Sequence, residues 1–480
     1  MKGRGRDILE VMDQEFFFYD LETSGLDRAN DRIMQFAGQR TDAQFNPIGE
    51  PVNVLVALND DTLPSPGAVA VTGITPQRTQ EEGYSEADFA RLVVEEFFTP
   101  GTIIVGYNTI RFDDEFIRHL LWRNFYDPYE WSYKQGNSRW DLLDVVRMTR
   151  ALRPEGIVWP VDASGRAVNK LELITQQNGI SHDAAHDALS DVRATIDVAR
   201  LIRDKQPKLF EYLLNMRHKS AVAKLVDVRN PKPVVYSSGR YDAAYDKTTV
   251  VWPLAEAPHG NVLVYDLRHD PGPLLTYSVD ELQARLFASY QERQAEDFVA
   301  VPVKPLPVNK CPAVAPLGVL QPENWQHLGL SLELVQQRID ILRRHPEFTS
   351  RIVEAFSRRP PLPTAKDPEA QLYDGFITSR KDITTMQAVR QADGQQLKHI
   401  GEQQFEDPRL KQLIVHYKAR NFPFSLSSEE KQAWQQWRAD RLQRQSTDFV
   451  QQLQKLAKQG VDDYLLTELQ LWFENVMDEG

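Results

Sequence analysis

The sequence predicts an α/β domain with a mixed sheet, then a small barrel-like β domain with added helices, then an all-helical C-terminal domain. Three observations predict it. In residues 15–205, strand-like apolar runs come first and then alternate with helical patterns. Residues 230–322 are rich in Pro, Gly, Val and Tyr and carry short β-like runs. From Ala370 onward few helix breakers remain.

Phe16 to Tyr19, Ile33 to Arg40 and Val52 to Leu58 read as the first strands, separated by turn residues such as Asn46, Pro47 and Gly49. Ser85 to Phe98 spaces Phe89, Leu92, Val93 and Phe97 as one helical face, with Ser85 as N-cap. Thr102 to Val105 is β-like. Asp113 to Phe125, Arg139 to Leu152, Leu171 to Gln177 and Ala188 to Lys205 are helical. Gln206-Pro207 marks a boundary, and Arg358 to Pro363 is a Pro-rich linker. The expected domains are therefore 1–206, 207–357 and 358–480. Pro233 to Tyr236, Thr248 to Trp252 and Asn261 to Tyr265 are strands of the second. Leu410 to Arg420 and Glu429 to Leu456 are helices of the third.

The 480 residues carry a net charge of −12, of which −11 falls in residues 1–206. The single Cys311 excludes an internal disulfide framework and a cysteine-built metal site, and fits a reducing, cytoplasmic setting. No secretory leader and no membrane span are expected. An acidic total argues against nucleic acid only as an average, because binding follows local basic stripes.

The carboxylates are concentrated at specific places. Asp20 and Glu22 form a D-x-E pair at the end of the Phe-rich strand, and i, i+2 side chains share a strand face. Alone, the pair reads equally as two solvated acids. Asp113 and Asp114 open a helix after Gly106 to Phe112, where a capping role serves as well. His186 directly precedes a helix that carries Asp191, and His182 lies four residues upstream. Hard oxygen ligands of this kind suit divalent cations, and a neutral imidazole can take a proton from water.

Together Asp20, Glu22, Asp113, His186 and Asp191 resemble the DEDD exonuclease superfamily, in the branch with histidine in its last motif. The resemblance narrows to bacterial exonuclease I through Arg123 to Tyr129, Asn137 to Asp144, Ala151 to Gly156, Val308 to Pro312, Ala370 to Phe376 and Tyr417 to Pro423. It implies a ribonuclease H-like exonuclease domain, an SH3-like β-barrel domain and a helical C-terminal domain. It implies processive 3′→5′ degradation of single-stranded DNA to mononucleotides in DNA repair and recombination. Two Mg²⁺ ions, with Mn²⁺ as substitute, would be held by Asp20, Glu22, Asp113 and Asp191, with His186 as base. Asp113 is favoured over Asp114 because it directly follows Phe112; Asp187 is read as solvated or supporting. A monomer is expected. An RNA exonuclease and a non-catalytic DNA-binding scaffold are the competing readings.

Residues 118–147 interleave cations and aromatics, a composition that grips single strands by stacking and charge. Trp122, Phe125 and Trp140 stand at helical spacing and read as core. The resemblance assigns DNA contact to Arg118, Tyr129, Tyr133 and Arg147, and substrate contact to Glu22 and Lys170. It also implies docking of the C-terminal tail of single-strand-binding protein on Arg153, Tyr212, Lys232 and Arg343. Pro316 and Gln321 depart from the family pattern there.

Overall fold

The computed structural model describes residues 14–182, 186–361 and 364–478. The chain forms two compact units. One comprises Met1–Ser138, His182–Ile196 and Pro363–Gly480; the other comprises Arg139–Ser181 and Asp197–Leu362.

The first unit is organised by β1 (Glu15–Thr23). β2 (Ile33–Thr41) pairs antiparallel with it, β3 (Val52–Leu55) pairs antiparallel with β2, and β4 (Thr102–Gly106) runs parallel to β1. The sheet is therefore mixed, as the sequence predicts. Pleating sends Phe17, Tyr19 and Leu21 into a core with Phe36, Phe89, Phe97 and Ile117. Phe16 and Phe18 turn to the other face and pack edge-on against Phe45. Ser85 caps the helix Glu86–Leu92 by accepting the Asp88 N–H, as expected, but the last turn widens into a π-helix at Val93–Phe97.

Trp122 and Phe125 are fully buried, and join Leu372, Met386, Leu410, Leu413 and Tyr417 in a further core. Their aromatic character is thus spent on packing. Helices Arg380–Gln391, Pro408–Asn421, Ser428–Lys458 and Asp463–Asp478 complete this unit. The 31-residue helix Ser428–Lys458 starts at a reciprocal capping box between Ser427 and Glu430.

A buried ionic cluster ties early and late parts of the chain together within this unit. Arg32 Nη2 lies 2.7 Å from Glu369 Oε2. Arg420 Nη2 lies 2.6 Å from Glu369 Oε1 and 2.8 Å from Asp61 Oδ2. Arg441 donates to the Asp61 carbonyl at 2.9 Å, and His416 Nδ1 lies 2.9 Å from Glu369. Burial pushes the Glu369 carboxyl up, but Arg420 and Arg32 outweigh it and hold the group well below the usual carboxylate range.

In the second unit, β5 (Ser138–Asp141) begins at the unit junction in sequence, and the helix Leu142–Leu152 follows it. The sequence predicts helix from Arg139. Asp141 explains the later start, because its side chain accepts the Leu143 N–H as an N-cap. Trp140 is buried edge-on against Phe210. Strands β6 (Val234–Ser237), β7 (Thr248–Ala257), β8 (Asn261–Asp266), β9 (Val303–Leu306) and β10 (Ala313–Pro316) form an antiparallel sheet in the order β10-β6-β7-β8-β9. One core packs Trp252, Leu263 and Tyr265 against Ile339, Leu342, Phe348 and Ile352 of the helices Leu332–Arg344 and Pro346–Ser357. No helix among the described residues is long and apolar enough to cross a membrane.

Glu369→Gln removes one charge from the cluster and leaves Arg32 and Arg420 buried without that partner. The expected loss in urea unfolding is about 3–5 kcal/mol, the scale for breaking a buried pair from one side. A loss below about 1 kcal/mol would show that the arginines re-pair elsewhere.

Candidate active site

Asp20 and Glu22 stand on the same face of β1 as Phe16 and Phe18, two and four positions further along. Antiparallel pairing to β2 continues through them, Asp20 opposite Ala37 and Glu22 opposite Gln35. The parallel ladder to β4 ends earlier, at Phe18 opposite Val105. The pair therefore sits where β1 outruns its neighbour, at the rim of the sheet.

The next carboxylate arrives by a tight turn after β4. A side chain at Gly106 would bring its Cβ to 2.0 Å from Thr109 Cγ2, so glycine is required for this approach. Asn108 takes a left-handed conformation at φ 69°, which asparagine tolerates well. The helix Asp113–Arg123 then begins directly at Asp113. The two adjacent aspartates have different surroundings. Asp114 Oδ1 accepts the Tyr19 hydroxyl at 2.6 Å, on the core face of β1. Asp113 is buried, and its charge helps raise Asp20 and Glu22, although it lies outside the close oxygen group of Asp20, Glu22 and Asp191.

The helix Ala188–Lys205 supplies Asp191. Its first turn is closed by Asp187, whose Oδ2 accepts the Ser190 N–H at 3.1 Å and whose Oδ1 accepts from Gln35 at 3.4 Å. Asp187 thus works as an N-cap at the edge of the site. Asp191 Oδ2 accepts the His186 backbone N–H at 3.2 Å, and Asp191 Oδ1 lies 2.6 Å from His182 Nε2. His186 is exposed and has φ 68°, a conformation uncommon outside glycine.

Oxygens of Asp20, Glu22 and Asp191 lie within 4.8 Å of one another. Burial raises the Asp20 carboxyl well above its ordinary value, and the charges of Asp113, Asp191 and Glu22 raise it further. Glu22 is pushed up to about 8, by burial first and then by Asp191 and Asp113. Burial also raises Asp191, against the hydrogen bond from His182. Three converging hard-oxygen donors that repel one another fit a divalent cation, which would replace protons with positive charge.

The residues expected to hold DNA divide between the units. In the first, Arg118 is buried, 3.0 Å from Glu115 and 5.4 Å above the Tyr129 ring. Tyr129 is half-buried and lines a cavity of about 450 Å³ with Tyr126, Trp131, Phe376 and Arg390. Tyr133 is 61% exposed. Trp131 belongs to the core. In the second unit, Arg147 pairs with Asp144, and Lys170 is exposed 3.6 Å from Glu172. Of the residues expected to meet a protein tail, Arg153 donates to the Val319 carbonyl at 2.9 Å, Tyr212 is half-buried, and Lys232 and Arg343 are exposed. The Gly73 turn ends the helix Pro66–Thr72, and Thr75 caps the helix Pro76–Glu82.

The carboxylates converging at the rim of the mixed sheet lie within residues 17–199, which match a family model described as exonuclease, so the chain is of the exonuclease class. Residues 217–358 match the exonuclease I SH3-like domain and residues 366–476 the exonuclease I C-terminal domain. The chain is 42% identical over 455 residues to exodeoxyribonuclease I of Haemophilus influenzae, covering 94% of this chain and 96% of that protein. It is 42% identical over 454 residues to exodeoxyribonuclease I of Escherichia coli, covering 93% and 94%. E. coli exonuclease I in complex with a dA16 oligonucleotide superposes with a TM-score of 0.92 at 40% identity, covering 97% of this chain and 100% of that one. The zinc-bound form of an E. coli exonuclease I complex with single-stranded DNA gives 0.90 at 41%, covering 96% and 99%. The chain belongs to the exonuclease I family and is a hydrolytic exonuclease.

The raised carboxyls give a sign to the pH dependence. Glu22 contributes stability that is complete below its unfolded value of about 4.5 and is lost as pH rises through about 8. A divalent cation relieves that loss. The rise in Tm on adding Ca²⁺ should therefore be larger at pH 8.5 than at pH 5.5; an equal rise at both would contradict this electrostatic picture.

Proposed function

We propose that this chain degrades single-stranded DNA from its 3′ end, processively and with release of 5′-mononucleotides, in repair and recombination in the cytoplasm. The observation that carries the proposal is the oxygen cluster of Asp20, Glu22 and Asp191 in a chain similar over nearly its whole length to exodeoxyribonucleases I. Two Mg²⁺ ions, replaceable by Mn²⁺, would supply Lewis acidity to the attacking and leaving oxygens. Asp20 would reach both, Glu22 and Asp191 would complete one site, and Asp113 would help hold the other. His186, exposed at the mouth of the cluster, takes a proton from water as that water attacks phosphorus. The P–O3′ bond breaks, and the shortened strand keeps the 3′-hydroxyl.

Tyr129 and Tyr133 would offer stacking surface for the strand in one unit, with the buried Arg118 adding charge behind Tyr129, and Arg147 and Lys170 would contribute charge in the other. Glu22 in the first unit and Lys170 in the second are each proposed as substrate contacts. In this reading residues 1–206 carry both the cleavage site and the named strand contacts, followed by an SH3-like domain at 207–357 and a helical domain at 358–480, in a monomer.

Incubation with 5′-labelled DNA and RNA oligonucleotides tests the reading. DNA should shorten from the 3′ end with Mg²⁺ and not with EDTA. Asp20→Ala should abolish shortening, and His186→Ala should slow it at least ~10²-fold, the scale of general-base removal. Preferential loss of RNA would move the assignment to an RNA exonuclease, and undiminished cleavage by Asp20→Ala would overturn it.

The partner reading adds the acidic tail of single-strand-binding protein, met by Arg153, Lys232 and Arg343 with Tyr212 as an apolar neighbour. Arg343 lies 4.9 Å above the Trp252 ring, which keeps its guanidinium at the surface. Arg343→Glu should abolish tail binding in a fluorescence-anisotropy titration. Unchanged affinity would remove Arg343 from the contact.

A further inference from the structure

We propose that His182 is a positioning residue for the cation site. It sets the orientation of the Asp191 carboxylate, while His186, four residues later, is left for proton transfer. The inference rests on the assignment of Asp20, Glu22 and Asp191 as cation ligands.

The geometry separates the two histidines. The His182 side chain is 4% exposed, and its Nε2 lies 2.6 Å from Asp191 Oδ1. The His186 ring is exposed, and its backbone N–H is donated to Asp191 at Oδ2. An ionised carboxylate can only accept, so His182 Nε2 carries the hydrogen in this contact. Asp191 is thereby held at both oxygens, by a ring from one side and a backbone amide from the other. Each carboxylate oxygen has two lone pairs, so both oxygens keep capacity for a cation.

Such restraint matters at this position. Asp20 and Glu22 are fixed by a central strand paired through both residues. Asp191 instead lies in the first turn of the helix Ala188–Lys205, outside the sheet. Like charges at Asp20 and Glu22 repel it. Without a donor behind it, the carboxylate gains by rotating out of the cluster. A buried imidazole opposes that rotation and keeps the three oxygens convergent. Partners behind a metal ligand ordinarily contribute ~10–100-fold to metal affinity.

Calorimetric titration of Ca²⁺ into the full-length protein provides a readout independent of turnover. His182→Ala should weaken Ca²⁺ binding by ~10–100-fold. His182→Gln, whose amide N–H can still donate, should recover most of the loss. Saturating Mg²⁺ should restore most of the cleavage rate in His182→Ala and not in His186→Ala, because only the latter lacks the proton acceptor. Asp191→Asn serves as control and should lose Ca²⁺ binding. Unchanged or tighter Ca²⁺ binding by His182→Ala, with Asp191→Asn impaired, would overturn the role of His182. Normal binding by Asp191→Asn would instead overturn the ligand assignment beneath it. Should His182→Ala lower the melting temperature in EDTA, His182→Gln decides alone: wild-type Ca²⁺ affinity supports the positioning role, and lost affinity in a stably folded protein rejects it.

Discussion

Everything at the active site depends on the pleat of one strand. Consecutive side chains of β1 face opposite ways, so nine residues serve two environments at once. Phe17, Tyr19 and Leu21 anchor the strand in the core, and Asp20 and Glu22 inherit the rigidity of that anchorage on the other face. The arrangement forces a conflict. Burial that fixes the strand also strips water from the carboxylates, and the neighbouring acids add repulsion. A cation resolves both costs, which is why the position that is least comfortable for the protein alone is the one suited to metal chemistry.

The rest of the first unit keeps that strand end accessible and well defined. The β4 ladder stops short of Asp20, and the Gly106 turn brings in the helix at Asp113. Tyr19 engages Asp114 through its hydroxyl, which commits that aspartate of the adjacent pair to the core side, while the charge of Asp113 acts on Asp20 and Glu22. Farther away, the Arg32–Glu369–Arg420–Asp61 cluster replaces ordinary apolar packing with geometry that accepts few alternatives. Its value lies in arrangement as much as in energy, since desolvation consumes much of the Coulombic gain.

Much of this was legible from residues that are close in sequence. The Phe16 to Tyr19 run followed by D-x-E marked a buried strand ending in paired acids, because a period of two is visible within five residues. Ser85 as N-cap, the helix at Asp113 and the helix from Ala188 to Lys205 follow from equally local patterns. Legibility failed where the deciding partner was remote or the pattern short. Nothing beside Arg32 signals Glu369, 337 positions away. Arg139 to Asp141 of β5 read as an extension of the next helix until Asp141 is seen to cap it. The helices Pro207–Asn215 and Lys219–Leu225 lie where composition suggested a plain change of domain. His182 looked like one more histidine, because its distinguishing fact is burial against Asp191, and burial of a loop residue has no periodic signature.

The ionic cluster also has a consequence for how the chain is made. Arg32 and Asp61 lie near the start of the sequence, whereas Glu369, Arg420 and Arg441 are synthesised some three to four hundred residues later. At a typical ~5–20 residues per second, the early charges wait tens of seconds for their partners. During that interval the sheet around β1 can assemble, but Arg32 and Asp61 must remain hydrated, so the nascent first unit stays open on the side that the late helices will cover. The strand β1 can thus form early in a unit that closes late, and closure of such long-range contacts is the step expected to limit its folding.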